Sequence, residues 1–226
     1  MSAAEPPQSA SSAPLGGSAA AKPQAWGDPA SVSHDALLYL QALGAGEFPH
    51  VNGSLARHLR GTAALLRRWG RREAVCLAGL YHAVYGTDRI HGVLAGCGMR
   101  KTIANVIGAE AEALAYLYGA CDRDAFHPRL GTPGQWMFAD RFTESEYPIT
   151  ESQLRDLCEI TVANELDLAR ANPRFLVRHA AALISLVDRM QALVSIAALD
   201  AAHETLSLTA HAAAAGRDAA IRLRQE

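Results

Sequence analysis

The stretch AGLYHAVYGT (78–87), read together with LARHLRGTAALLRRWG (55–70), decides the fold. In the earlier segment Leu55, Leu59, Thr62, Leu65, Leu66 and Trp69 recur at helical spacing, and His58 falls on the same face. In the later one Val75, Ala78, His82 and Tyr85 form a second inward row. Two imidazoles on the apolar stripes of consecutive helices predict that His58 and His82 face one interior cavity. A buried polar group without a partner costs about 1–3 kcal/mol, so each ring requires either a core hydrogen bond or a ligand.

Helices are expected at 54–69, 73–85, 99–107 and 109–121, broken by glycines or short polar stretches. Upstream, SVSHDALLYLQAL (31–43) has a serine cap followed by Leu37, Leu38, Leu40 and Leu43 at helical spacing. GAGEFPHVNGS (44–54) reads as a loop whose Ser54 caps the helix carrying His58, and His50 in that loop is placed to reach the same site. The segment 122–150, DRDAFHPRLGTPGQWMFADRFTESEYPIT, has no helical period; its Trp136, Phe138 and Phe142 predict a packed lid over the cavity mouth. Thr150 or Ser152 opens a helix over 151–171, which ends before Pro173, and helices near 174–189 and 191–213 follow. The reading is an all-α domain over 30–213, a disordered tail over 1–29 rich in Ser, Ala, Pro and Gly, and a helical extension or tail over 214–226.

Half of the residues are apolar, enough for a real core, and about a fifth are alanine, which favours helices over sheets. A formal charge of −2 gives no electrostatic case for nucleic acid or an anionic membrane as primary partner. The run Arg67, Arg68, Arg71 and Arg72 reads as a solvated helix end rather than a phosphate patch. Cys76, Cys97, Cys121 and Cys158 lack CxxC spacing and read as free thiols, and neither a leader nor a membrane span is evident, so the expected location is the cytoplasm. Walker, GxSxG and HExxH signatures are missing, which removes several common enzyme classes.

On the helix 151–171, Leu157, Ile160, Asn164 and Leu168 share a stripe, Glu165 lies beside Leu154, Cys158 and Thr161, and Asp167 is one step further round. A polar cluster on an apolar face needs a network or a ligand. Arg100 precedes Glu110 and Glu112, so an internal ion pair is its plain explanation. Asp122-Arg123 and Asp140-Arg141 stand at the two ends of the long loop; each arginine can fork onto a phosphate or carboxylate, or onto the other dipeptide's aspartate to hold the lid shut. Tyr85, three residues after His82, is placed on its face and could donate to a ligand. His91, His127, His179, His203 and His211 read as incidental.

The arrangement resembles the HD superfamily of metal-dependent phosphohydrolases, especially the hydrolase domain of alarmone (ppGpp) enzymes, over roughly 45–190. The resemblance implies a helical bundle with a His, a His-Asp pair and a later Asp around a divalent metal. His58 matches the first histidine and His82 the second, with Ala83 in the place of the aspartate. VIGAEAEALAYLYG (106–119), after Arg100, matches the following amphipathic helix, and ITVANELDLA (160–169) the helix of the last aspartate, with Asn164 in its place. The wording HLxGTxxLLxxWG, AGLYHAVYGT and TVANELDLA is also similar to a family of bacterial proteins of unknown function.

The expected activity is metal-dependent hydrolysis of a phosphorylated small molecule or nucleotide. His58, His82 and Asp167 would hold Mn, Fe or Mg, Glu165, Tyr85 and Arg100 would act in catalysis, and Arg123, Arg141, Asn164 and His50 would bind the ligand. The alternatives are a metal-free small-molecule-binding domain on the same helices, and, ranked last, a di-iron oxygenase like some HD relatives.

Overall fold

A computed structural model describes residues 29–50, 53–88, 92–132, 134 and 136–207. Of the tail expected over 1–29, residues 1–28 lie outside the described residues, as do His91 and the segment 208–226 with His211, while Pro29 opens a helix. The chain is mostly helical: α1 Pro29–Ala42, α2 Leu55–Arg68, α3 Glu73–Tyr81, α4 Arg100–Ile107, α5 Ala109–Ala120, α6 Arg123–Phe126, α7 Glu151–Ala171, α8 Pro173–Met190 and α9 over 196–207. Two antiparallel pairs interrupt the helices, β1 Pro49–His50 with β2 Gly53–Ser54, and β3 Met137–Asp140 with β4 Ser145–Pro148.

The caps explain several boundaries. Ser54 accepts from the Arg57 amide to open α2, while Thr150 and Gln153 form a reciprocal capping box that opens α7. Asn172 ends α7 and caps α8, whose first residue is Pro173. Helix α3 stops at Tyr81, four residues short of the sequence expectation. The Val84 and Gly86 amides bond back three residues to Tyr81 and Ala83, and Gly86 turns the chain at φ 75°.

Helices α2, α3 and α5 form the centre. On one side Leu65, Leu66, Val75, Leu114 and Tyr118 pack with α7 and α8; on the other Leu59, Leu80, Tyr81 and Ile103 pack with α1 and α4. The close α2–α3 crossing requires Gly79, because a Cβ there would lie 2.3 Å from Leu66 Cδ1. Arg71 and Arg72 are not a solvated helix end. Arg72 forks onto the buried Asp156, and Arg71 meets Glu159, whose side chain is 3% exposed, so both tie the α2–α3 turn to α7.

The segment 122–150 is not an irregular loop, and its Arg123 and His127 border the cavity. It forms α6, a 3₁₀ turn His127–Arg129 and the β3–β4 hairpin; Asp122 N–H donates to Ala139 O within it, and Arg141 N–H to Ala120 O joins it to the end of α5. Phe138 is fully buried against Phe126 and Tyr147. Asp140, 3% exposed, accepts from the hydroxyls of Tyr116 and Tyr147 and from the amides of Phe142 and Thr143. Replacing Asp140 with Ala unpairs all four donors and should lower stability by about 2–4 kcal/mol, read by urea unfolding. An unchanged midpoint would show that the hairpin is held by its aromatic side chains alone.

Candidate functional site

His58 on α2 is 2% exposed and links that helix to α7 through both ring nitrogens. Nδ1 stands 2.7 Å from Asp167 Oδ2 and Nε2 2.9 Å from Asn164 Oδ1. Both ring nitrogens thus face oxygens, and which of them donates follows the tautomer and the orientation of the Asn164 amide. Asn164 Nδ2 in turn donates to Glu165 Oε1 at 3.1 Å. Gly61 makes room for the first of these contacts: a Cβ at 61 would lie 1.9 Å from Asp167 Oδ1.

His82 follows the last turn of α3 and donates from Nδ1 to Gly79 O at 2.7 Å, which leaves Nε2 as the unprotonated nitrogen. Its ring meets His58 edge-on with centroids 5.1 Å apart, and His50 at the end of β1 stacks on His58 at 4.5 Å. The paired apolar stripes thus bring His58 and His82 together, and the loop brings His50, as expected. Burial pushes the His50 imidazole down to about 4, aided by repulsion from His58 and opposed by Asp167. Burial, with His58 second, likewise holds His82 well below its ordinary value. Burial also pushes the Glu165 carboxyl up, against Arg123 and the Asn164 hydrogen bond.

These groups form the floor of a cavity of about 480 Å³ that Arg123 and His127 border from the α6 segment. Leu168 on α7 and Phe175, Leu183 and Leu186 on α8 make its apolar wall. His179, whose ring lies tilted against Phe175 with centroids 4.6 Å apart, also lines it. His127 and His179 therefore line the cavity although neither has partner spacing along the chain; the α8 stripe of Leu183 and Leu186 was the signal available for His179.

Three expected residues lie elsewhere. Tyr85 donates to Glu112 at 2.8 Å, because α3 has ended and three residues no longer make one helical face. Arg100 forks onto the same Glu112 at 2.7 and 2.9 Å, as its plain explanation held. Arg141 donates to Gly119 O at 2.8 Å and lies over Phe142. Arg123 pairs with Asp88 at 3.1 Å, so the two loop dipeptides do not cross-pair.

The donor set does not fit a hard divalent metal. Ala83 lines the cavity without a donor, Asn164 offers a neutral oxygen, and the Asp167 carboxylate is engaged with Nδ1 on the far edge of the His58 ring. Among the described residues no three His, Cys, Asp or Glu side chains converge on one point in a metal-holding arrangement. Burial raises the thiols of Cys76 to about 11 and Cys121 to about 12, so these are protonated core groups and not nucleophiles.

The depressed imidazoles make stability pH-dependent with a fixed sign. The unfolded chain takes up protons below about 6.5 that folded His50 and His82 do not, so their contribution is complete above that pH and is lost as pH falls toward 4. Calorimetry should show the melting temperature falling from pH 7 to pH 5, with a smaller fall in His50→Asn. At pH 5.5 the ¹³C shifts of both rings should remain those of neutral imidazole. Gly61→Ala should keep the fold but remove the downfield Nδ1 proton signal of the His58–Asp167 pair; a retained signal would show that Asp167 can shift without leaving the ring.

Residues 39–123 match the family model described as Domain of unknown function (DUF6817). No curated protein and no solved structure matches the chain. No helix among the described residues is long and apolar enough to cross a membrane. The matched span carries His50, His58 and His82 and ends at Arg123, so the chain is similar to that family over the histidine half of the site, while Asn164, Glu165 and Asp167 lie beyond the match.

Proposed function

We propose that this protein binds a small amphipathic molecule in the histidine-floored cavity and does so without a hydrolytic metal. The observation that carries this reading is the division of the cavity: polar side chains from β1, α2, α6 and α7 on one side, and the apolar stripe of α8 on the other. Its volume of about 480 Å³ lies in the range of sites that enclose small ligands. The gathering of His58, His82 and Asn164 on one floor supports an HD-like arrangement in which the two carboxylate positions have become Ala83 and Asn164.

The metal-dependent phosphohydrolase reading has one feature in its favour. Nδ1 of His58 and of His82 is each held by an oxygen, as in ligating imidazoles. The shortage of carboxylate donors outweighs it, since two imidazoles and an amide leave the charge of a hard cation uncompensated. The di-iron reading asks for still more donors than the floor supplies.

Binding of 8-anilino-1-naphthalenesulfonate, followed by fluorescence, tests the proposal. Affinity should be the same before and after EDTA treatment, and Leu183→Trp, which fills the apolar wall, should weaken it by at least about tenfold with an unchanged circular dichroism spectrum. Stoichiometric Mn²⁺ or Fe²⁺ binding together with hydrolysis of bis(4-nitrophenyl) phosphate above a metal-only blank would establish the hydrolase instead.

A further inference from the structure

The cavity presents two charged side chains of opposite sign that are not paired with each other. Arg123, 10% exposed, meets Asp88 through Nη1 and lies over the Tyr118 ring at 4.9 Å. Among the described residues no protein group accepts from its Nε or Nη2. Glu165 receives one hydrogen bond, from Asn164 Nδ2 to Oε1, and Oε2 has no protein partner among the described residues. Both side chains line the same cavity, beyond ion-pair distance of each other, and Phe175, Leu183 and Leu186 face them.

A guanidinium with unused donors and a carboxylate with an unused oxygen, held apart in an enclosed space, match a ligand that carries both charges. We propose, building on the binding reading above, that the ligand is a small zwitterion of amino-acid type. Its carboxylate is gripped by Arg123, its ammonium by Glu165, and its apolar substituent lies on the α8 wall. A carboxylate suits the site better than a phosphate dianion. Arg123 is the guanidinium of the cavity, while burial keeps His50 and His82 as neutral acceptors or donors that can satisfy the ligand's remaining polar atoms without adding charge. A neutral or singly charged ligand would leave the remaining donors of Arg123 or the second oxygen of Glu165 unmatched.

The test uses three probes with one ring and different charges: L-phenylalanine, 3-phenylpropionate, which lacks the ammonium, and phenethylamine, which lacks the carboxylate. Calorimetry with the full chain should find L-phenylalanine bound at least about tenfold more tightly than either analogue. Arg123→Gln should erase its advantage over phenethylamine, and Glu165→Gln its advantage over 3-phenylpropionate. The wild-type comparison decides the matter even where a variant fails to fold. Equal affinity for all three, or binding of none, overturns the zwitterion assignment. The anilinonaphthalenesulfonate titration then separates the two levels: a dye that still binds and is expelled by Leu183→Trp keeps the cavity as a binding site, and a dye that does not bind removes the binding reading as well.

Discussion

Both nitrogens of one buried imidazole, His58, are satisfied by α7, a helix more than a hundred residues away in sequence. An α2 side chain with its hydrogen-bonding capacity filled in this way fixes the rotation of both helices, because a turn of either one would strand a buried donor or acceptor. The position of α7 then decides what else faces inward. Asn164, bound to His58, directs its amide to Glu165, and Glu165 is thereby set on the cavity floor. His50 stacks on the same ring and His82 meets it edge-on, so the floor of the cavity is assembled around His58.

The other charges near the site act as fixings. Arg71 and Arg72 leave the end of α2 and reach Glu159 and Asp156, buried on the opposite side of α7 from the cavity, and Glu159 also accepts the Ser195 amide. Arg100, Glu112 and Tyr85 form a second closed set between α4, α5 and the turn after α3. In each set the carboxylate is buried and the arginine is partly solvated, an arrangement in which the guanidinium stem covers apolar surface while its head neutralises the carboxylate. None of these arginines lines the cavity, which separates them from Arg123, whose Asp88 pair stands at the cavity border.

Helical period alone was enough to place most of the helices and to put His58 and His82 together, because both lie on stripes that must be buried wherever the helices pack. Thr150 and Pro173 marked α7 for the same local reason. The readings that differed all required knowledge of where the chain turns or which elements meet. Tyr85 leaves the His82 face because α3 stops at Tyr81, and the carbonyl–amide pairs that stop it carry no side-chain signature. The hairpin in 122–150 was hidden because its strands are four residues each and alternate poorly. His127 and His179 come to the cavity through tertiary packing of α6 and α8, which spacing within one helix cannot express. Asp167, expected as a metal ligand with His58 and His82, bonds Nδ1 of His58 and does not line the cavity, since a helical position fixes direction and not distance.

Gly61 shows how the cavity and the core are joined. Glycine inside a helix is disfavoured by roughly 1 kcal/mol relative to alanine, yet here the missing Cβ is the space the Asp167 carboxylate occupies beside Nδ1 of His58. That carboxylate is 21% exposed, whereas the ring it holds is almost fully buried, so solvent reaches the network at Asp167 and the cavity borders it at His58 and Asn164. The imidazole between them transmits hydrogen-bond polarity across the α2–α7 contact. On the binding reading proposed above, a molecule seated against Asn164 and Glu165 would touch the same network that stabilises the helix packing, so affinity and fold stability would be linked through these hydrogen bonds.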